Sequence, residues 1–326
     1  MLTHILVTGG AGFIGSNFIR YMLINNRDYK ITNLDNLTYA GNIENLKEIE
    51  NNINYRFIKG SINDKKLIQK ILNQDIDYII NFAAESHVDR SINEPSVFIN
   101  TNVLGTQVLL DCAKEKGIKK FIQISTDEVY GSIEGNGLFT ERSPLNPSSP
   151  YSASKASADL MALSYYKTYN LPVIITRCSN NYGPYQFTEK LIPLMIIKAI
   201  NNEKLPVYGD GMNIRDWIHV KDHCRAIETV LNKGKIGEIY NIGSNNEMKN
   251  IDIVKIILGE LKKPKSLIEY VKDRPAHDKR YAVDNRKIIQ DLNWRPMISF
   301  YKGIKDTIEW YKNNKWWWEN NISNNY

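Results

Sequence analysis

Along the first half of the chain, short apolar runs alternate with segments whose apolar residues recur at helical spacing. The continuous runs predict strands buried on both faces at 5–8, 31–34, 55–58, 78–82, 120–125 and 173–176. The helical spacing predicts helices over 43–49, 65–72, 96–116 and 151–169. Strands and helices in such alternation call for a parallel sheet with crossover helices, and right-handed crossovers make it an α/β, Rossmann-type doubly wound sheet. After Arg177 the rhythm breaks into loops, a helix over 191–200 and a turn-rich stretch at 205–211. A helix over 222–231 and a strand over 238–242 are expected to return to the sheet. The expected organisation is a first domain over 1–178, rejoined by 218–243, with a smaller interleaved C-terminal lobe over 179–217 and 244–326.

Composition changes this picture little. With 326 residues and 42% hydrophobic content the chain suits a soluble globular protein with one sizeable core. Its net charge of +6 is scattered rather than blocked, which argues against a nucleic-acid partner. No apolar run approaches the roughly 20 residues that span a bilayer, so no membrane role is expected. Cys112, Cys178 and Cys224 form no CxxC pair and the start enters a strand directly, so reduced thiols and a cytoplasmic location are expected. The five histidines lack ligand spacing, and no metal is expected. The adjacent Trp316, Trp317 and Trp318 are read as an aromatic end docking a C-terminal helix onto the lobe.

Chemistry enters with the glycines. Val7-Thr-Gly9-Gly-Ala-Gly12-Phe-Ile-Gly15 sits between the first strand and its helix, where it permits a tight turn, close approach to a pyrophosphate and an open helix N-terminus. Asp35 ends the second strand about 20 residues on, where a carboxylate accepts hydrogen bonds from ribose hydroxyls. Asn36-Leu37-Thr38 brings no Arg for a ribose phosphate, so NAD is preferred over NADP. Ala83, Ala84 and Thr101 are expected along the cofactor's middle.

Tyr151 and Lys155 lie one helical turn apart in Pro150-Tyr-Ser-Ala-Ser-Lys155, so an ammonium near the phenol is expected to lower its pKa from about 10. That pairing makes a base for oxidising an alcohol. Upstream, Ser125-Thr-Asp-Glu-Val-Tyr-Gly131 closes an apolar strand with Asp127 and Glu128, an acid and a base that alcohol oxidation does not require. Oxidation followed by elimination uses all four groups.

These motifs, with Asn81-Phe-Ala-Ala-Glu-Ser-His-Val-Asp-Arg-Ser91, Arg177-Cys-Ser-Asn-Asn-Tyr-Gly-Pro184 and Asp273-Arg-Pro-Ala-His-Asp278, resemble the dTDP-glucose 4,6-dehydratase family of extended short-chain dehydrogenase/reductases over nearly the whole chain. Glu189-Lys-Leu-Ile-Pro193, Leu205-Pro-Val-Tyr208 and Asn213-Ile-Arg-Asp-Trp217 narrow the match. The resemblance implies catalysis by Thr126, Asp127, Glu128, Tyr151 and Lys155. Tyr151 takes the C4 hydroxyl proton as C4 is oxidised, Thr126 bonds that oxygen, Glu128 removes the C5 proton, and protonated Asp127 assists loss of the C6 hydroxyl. The hydride returns to C6, so NAD is held and regenerated. Implied cofactor contacts are Gly9, Gly12, Phe13, Ile14, Gly15, Asp35, Asn36, Leu37, Thr38, Ser61, Ile62, Ala83, Ala84, Thr101, Tyr151, Lys155 and Asn181. Implied contacts to the dTDP-glucose substrate are Ser86, His87, Thr126, Asn180, Glu189, Lys190, Leu191, Pro206, Tyr208, Arg215, Asn250, Arg274 and His277.

Two positions depart from the family pattern: Ser61 stands for an Asp, which alters a contact to adenine, and Ala276 stands for a Gly beside the substrate nucleotide. A homodimer through a four-helix bundle and a product feeding deoxysugars such as dTDP-rhamnose are further implications. The competing readings are a 4-epimerase or dehydratase acting on a UDP-, CDP- or GDP-sugar, and an NAD-sensing protein without turnover. Neither an epimerase nor a sensor needs Asp127 and Glu128 beside Tyr151 and Lys155.

Overall fold

A computed structural model describes residues 2–26, 28–133, 135–275 and 277–323, the last four as backbone alone. Ala276 lies outside the described residues. The first elements are β1 (Thr3–Thr8), α1 (Phe13–Asn25), β2 (Tyr29–Asp35), β3 (Tyr55–Lys59), α2 (Lys65–Leu72), β4 (Tyr78–Asn81), α3 (Val88–Asn93), α4 (Pro95–Phe98), α5 (Thr106–Lys116) and β5 (Lys120–Thr126). They continue with α6 (Pro150–Tyr169), β6 (Val173–Cys178), β7 (Asn180–Tyr182), α7 (Leu191–Ile200), β8 (Leu205–Tyr208), β9 (Ile214–His219), α8 (Val220–Lys233) and β10 (Ile239–Ile242). The last are β11 (Glu247–Lys249), α9 (Asn250–Glu260), β12 (Ile268–Val271), α10 (Arg286–Leu292), α11 (Phe300–Asn313) and α12 (Lys315–Ser323).

Seven strands form one parallel sheet in the order β10-β6-β5-β4-β1-β2-β3. Its two faces follow from the two-residue period of a strand. Ile5 and Val7 point into a core shared with Phe18, Ile19 and Met22 of α1, Ile227 and Val230 of α8, and Ile288 of α10. Leu6 points the other way, with Ile68 of α2, Leu109 of α5 and Ala162 of α6. Each such buried aliphatic side chain contributes about 1.5–3 kcal/mol, which is why both faces need cover. The chain departs from β1 toward β2 on one side and β4 lies on the other, so the loops after β1 and β4 diverge and open a crevice at the strands' carboxyl ends.

The smaller lobe combines a three-stranded sheet, β11-β9-β7, with a parallel β8–β12 pair. Its core holds Ile192 and Ile196 of α7, Ile253 and Ile257 of α9, Ile304 of α11, and both Trp317 and Trp318. The docking expected for the tryptophans holds for two of the three: Trp317 and Trp318 are each 2% exposed, whereas Trp316 is 48% exposed.

Three expectations need correction. Residues 43–49 form a 3-10 helix rather than an α-helix. The expected helix over 96–116 is interrupted by a π-helical stretch, Ile99–Gly105. There the buried Asn102 side chain bonds Glu85 on both its N–H and its carbonyl and reaches Ser154 Oγ at 2.8 Å. A widened turn is a common way to aim such a side chain inward. The turn-rich stretch 205–211 begins as β8, because Leu205 and Val207 are buried against β12, a pairing partner more than 50 residues away that no local pattern reveals.

Candidate active site

The site grows from the crevice. Gly9 follows β1 with φ 69°, and a Cβ there would lie 2.5 Å from Ala83 N, so only glycine lets the loops after β1 and β4 touch. Helix α1 opens at Gly12 with no side-chain cap and no acidic residue in its first turn, which leaves its N–H groups to an anion. Asp35 takes one backbone donor on each carboxylate oxygen, Ala11 N on Oδ2 and Leu37 N on Oδ1, both at 2.8 Å. Each oxygen keeps acceptor capacity for a pair of neighbouring hydroxyls. Burial raises the Asp35 pKa and the two N–H donors oppose it. An uncapped helix start, a glycine contact and a doubly oriented carboxylate fit a dinucleotide such as NAD.

The catalytic candidates stand at the inner end of the same cleft. Beyond β5 the chain makes one 3-10 turn, Asp127–Tyr130, whose capping Thr126 Oγ1 accepts from Glu128 N and donates to Asp127 Oδ1, both at 3.3 Å. Gly131, with φ 80°, ends the turn where a Cβ would strike Asn146 O at 2.2 Å. Helix α6 starts with a Ser149–Ser152 capping box and Pro150 in its first turn, so Tyr151 enters the site at a rigid helix start.

Burial is the main cause of every shift here, but the neighbours split the two carboxyls. Asp127 is pushed well above the carboxylate range by burial, then by Glu128 and Asp216, and its Oδ2 is buried without a hydrogen-bond partner. Burial also raises Glu128, but Arg274, Arg215 and Lys190 pull it back. Both carboxyls are raised, Asp127 further than Glu128, which is the ordering that an acid at Asp127 and a base at Glu128 require.

The expected depression of the Tyr151 pKa needs correction. Burial, then Glu128 and Cys178, raise the phenol well above its ordinary value. Lys155 does not offset this, because Nζ is drawn onto the Ile124 carbonyl at 2.6 Å, and burial lowers its own pKa. Helical spacing puts the two side chains on one face, but the strand beneath decides where the ammonium points. Cys178, pushed by burial up to about 12, is an unreactive thiol at the same wall.

One cleft of about 1630 Å³, its open mouth included, brings together Gly9, Gly12, Phe13, Ile14, Gly15, Asp35, Asn36, Thr38, Ser61, Ile62, Ala83, Ala84, Ser86, Thr101, Thr126, Asp127, Glu128, Tyr151, Lys155, Asn180, Asn181, Glu189 and Lys190. Leu37 is absent from its wall: the side chain packs on the core, and only its N–H serves Asp35. Ser61 Oγ accepts from Asn63 N at 3.1 Å at the cleft's edge.

The remaining substrate candidates lie outside this wall. His87 caps α3, sits 3.5 Å from Glu189 and has its pKa lowered to about 4 by burial and then Lys190, so it is neutral. Arg274 lies 3.8 Å from Asp89. Arg215 stacks 4.2 Å over Tyr281 and donates to the Ile214 and Asp278 carbonyls, so two of its nitrogens are already engaged. Asn250 opens α9 with a buried, unpartnered Oδ1. Tyr208 stands edge-on to His277 at 6.3 Å, and His277 bonds Asp273. Pro206 is in β8 and Leu191 starts α7.

Several wall residues escaped the sequence reading, among them Tyr39, Glu85, Gln186 and Phe187. Glu85 lies inside a quoted motif and Tyr39 four residues past Asp35, so adjacency was the available signal. His223 had none. It is fully buried and its Nδ1 meets Asn181 Oδ1 at 2.9 Å, while Asn181 Nδ2 donates to Ser179 O. The amide oxygen therefore requires Nδ1–H, and burial lowers the imidazole pKa to about 3.

A histidine held neutral by the fold takes up its proton when unfolded, near its ordinary pKa of 6.5. Its contribution is full above that pH and is lost as pH falls toward 3. Buried carboxyls with raised pKa values act in the opposite sense, so a comparison with His223→Gln isolates the effect. We expect the wild-type advantage in urea unfolding to shrink by about 1.4 kcal/mol per pH unit below about 6.5. A constant difference from pH 7 to 5 overturns this.

The fold and the site define an NAD-linked enzyme of the extended short-chain dehydrogenase/reductase class. The family model described as GDP-mannose 4,6 dehydratase matches residues 6–307. The chain is 51% identical to a dTDP-glucose 4,6-dehydratase of Escherichia coli, over 99% of this chain and 97% of the relative. It is similar in structure to the dTDP-glucose 4,6-dehydratase DesIV of Streptomyces venezuelae, solved with NAD and TYD bound, at TM-score 0.95 and 49% identity over 98% of this chain and 100% of that one. The enzyme of the same name from Bacillus anthracis, solved in complex with NAD, gives TM-score 0.92 and 53% identity over 98% and 99%. The chain belongs to the dTDP-glucose 4,6-dehydratase family.

Proposed function

We propose that the chain converts dTDP-glucose to dTDP-4-keto-6-deoxyglucose and water, with residues 1–178 and 218–243 holding NAD and residues 179–217 and 244–326 the nucleotide sugar. Bound along the glycine loop and Asp35, NAD would supply reversible two-electron hydride chemistry, so that the hydride lost from C4 is available again for C6. Tyr151 takes the C4 hydroxyl proton as a phenolate, the form that the positive charge of bound oxidised nicotinamide and of Lys155 would favour against burial, while Thr126 orients that oxygen. Lys155, anchored on Ile124 O, presents its cation at the same wall. The new ketone acidifies C5–H, Glu128 takes that proton, and Asp127 gives its own proton to the departing C6 hydroxyl. Glu128 then returns its proton to C5, and transfer of the proton held by Tyr151 to Asp127 restores both groups, so that one turnover releases one water. The cations Lys190, Arg274 and Arg215, which converge electrostatically on Glu128, suit the diphosphate.

Asp127 and Glu128, raised to different extents on the same cleft wall as Tyr151 and Lys155, carry this reading, since a 4-epimerase uses Tyr151 and Lys155 and leaves both carboxyls idle. A homodimer through a four-helix bundle of α6 and the helical segment 95–116 would cover the exposed Leu160 of α6 and the exposed Ile99 and Leu104 of the π-helical stretch before α5. Among the described residues no helix is long and apolar enough to cross a membrane. The test is dTDP-glucose deuterated at C4, followed by NMR and mass spectrometry. Deuterium at C6 of a 4-keto product is expected. Label that stays at C4 without product overturns the assignment and redirects it to another nucleotide sugar.

A further inference from the structure

We propose that the C-terminal hairpin α11–α12 acts as a clamp on the NAD-binding glycine loop, with Trp317 and Asn45 as its positioning residues. The proposal rests on reading that loop as the NAD site. Trp317 Nε1–H donates to Asn45 Oδ1 at 2.7 Å across 272 positions of sequence. Asn45, 1% exposed, donates from Nδ2 to Ala11 O at 2.9 Å, and Ala11 N donates in turn to Asp35 Oδ2. An indole N–H only donates and a carbonyl only accepts, so the Asn45 amide has one permitted orientation. Ala11 lies between the glycines of the loop, and its two peptide groups are thereby tied to the tail on one side and to the ribose-facing carboxylate on the other.

A second set of contacts binds the same parts. Tyr185, held at φ 67°, packs against Trp310 at 4.6 Å and Trp317 at 5.8 Å. Its hydroxyl accepts from Arg20 of α1 at 2.7 Å, and Arg20 also reaches Asn45 O at 3.3 Å. Asn17, one turn from the start of α1, donates to Pro184 O at 2.9 Å. Packing alone would be met by any large apolar side chain at 317. A buried indole N–H aimed at an amide that itself holds the glycine loop does more: it fixes the loop's register. Neither Trp317 nor Asn45 lines the cleft, so both reach the cofactor indirectly, through Ala11 O, which Asn42 N also holds at 3.0 Å, and through Arg20 of α1.

Trp317→Phe keeps the buried ring and removes the donor, and Asn45→Ala removes both hydrogen bonds. The measurement is the NAD dissociation constant of the full-length protein, with dTDP titrated alongside and thermal unfolding monitored. A hydrogen bond of ordinary strength predicts about 3- to 10-fold weaker NAD binding for Trp317→Phe and a larger loss for Asn45→Ala, with dTDP affinity within about twofold. The double variant is expected to match Asn45→Ala, because one residue acts through the other. Wild-type NAD affinity in a folded Trp317→Phe, or losses that simply add, overturn the clamp. Failure of the wild-type chain itself to bind NAD would instead refute the reading of the site.

Discussion

Glu128→Gln is expected to oxidise C4 and then stall, with dehydration reduced by about 10²–10⁴-fold, the usual range for a lost general base. Glutamine keeps the size of the side chain and much of its hydrogen-bonding capacity, but it cannot take the C5 proton. The first half-reaction should survive because Thr126, Tyr151 and Lys155 are unchanged. It is even favoured, since Glu128 is the leading charge that raises the Tyr151 pKa, second only to burial. Stopped-flow absorbance should show reduced nicotinamide accumulating on addition of dTDP-glucose, while mass spectrometry finds no 6-deoxy product. Dehydration at the wild-type rate would remove Glu128 from its role.

Tyr151→Phe is expected to abolish turnover at the earlier step, by about 10³-fold or more, and to leave the fold intact. The phenyl ring keeps its edge contact with Phe98 and its place in the first turn of α6, so only the oxygen is lost. NAD and dTDP affinities and near-ultraviolet circular dichroism should match those of the wild type. Hydride transfer from C4, read as reduced nicotinamide in a single turnover, should disappear. The two variants are thus distinguished by whether reduced cofactor accumulates. Appreciable C4 oxidation by Tyr151→Phe would mean that another group takes the proton.

Much of the first domain was legible because its signals are local. Both faces of the parallel sheet are covered, so its central strands read as apolar runs, and β1, β2, β4, β5 and β6 lie where those runs predicted them. The lobe was less legible. Strands of three or four residues such as β7, β8, β11 and β12 carry too few positions to show a period, and their pairing depends on partners far along the chain. The Asn102 side chain, which reaches Glu85 and Ser154, marks a widened helix that spacing alone predicts as regular.

The sequence by itself determined the chemical inventory: glycines where β1 turns into α1, a carboxylate at the end of β2, two carboxyls beyond β5, and a tyrosine and lysine one helical turn apart. These follow from local geometry, in which a few residues of known spacing share a turn or a helix face. Only the tertiary structure decided how the groups behave. Burial raises the phenol that Lys155 was expected to acidify, because Ile124 O holds the ammonium. Arg274 and Lys190, contributed by the distant lobe, pull Glu128 back, while Glu128 and Asp216 push Asp127 further up. Trp317 meets Asn45 across most of the chain. Desolvation and charge–charge energies depend on distance in space, and distance in space is set by packing between segments whose separation in sequence leaves no trace in local pattern.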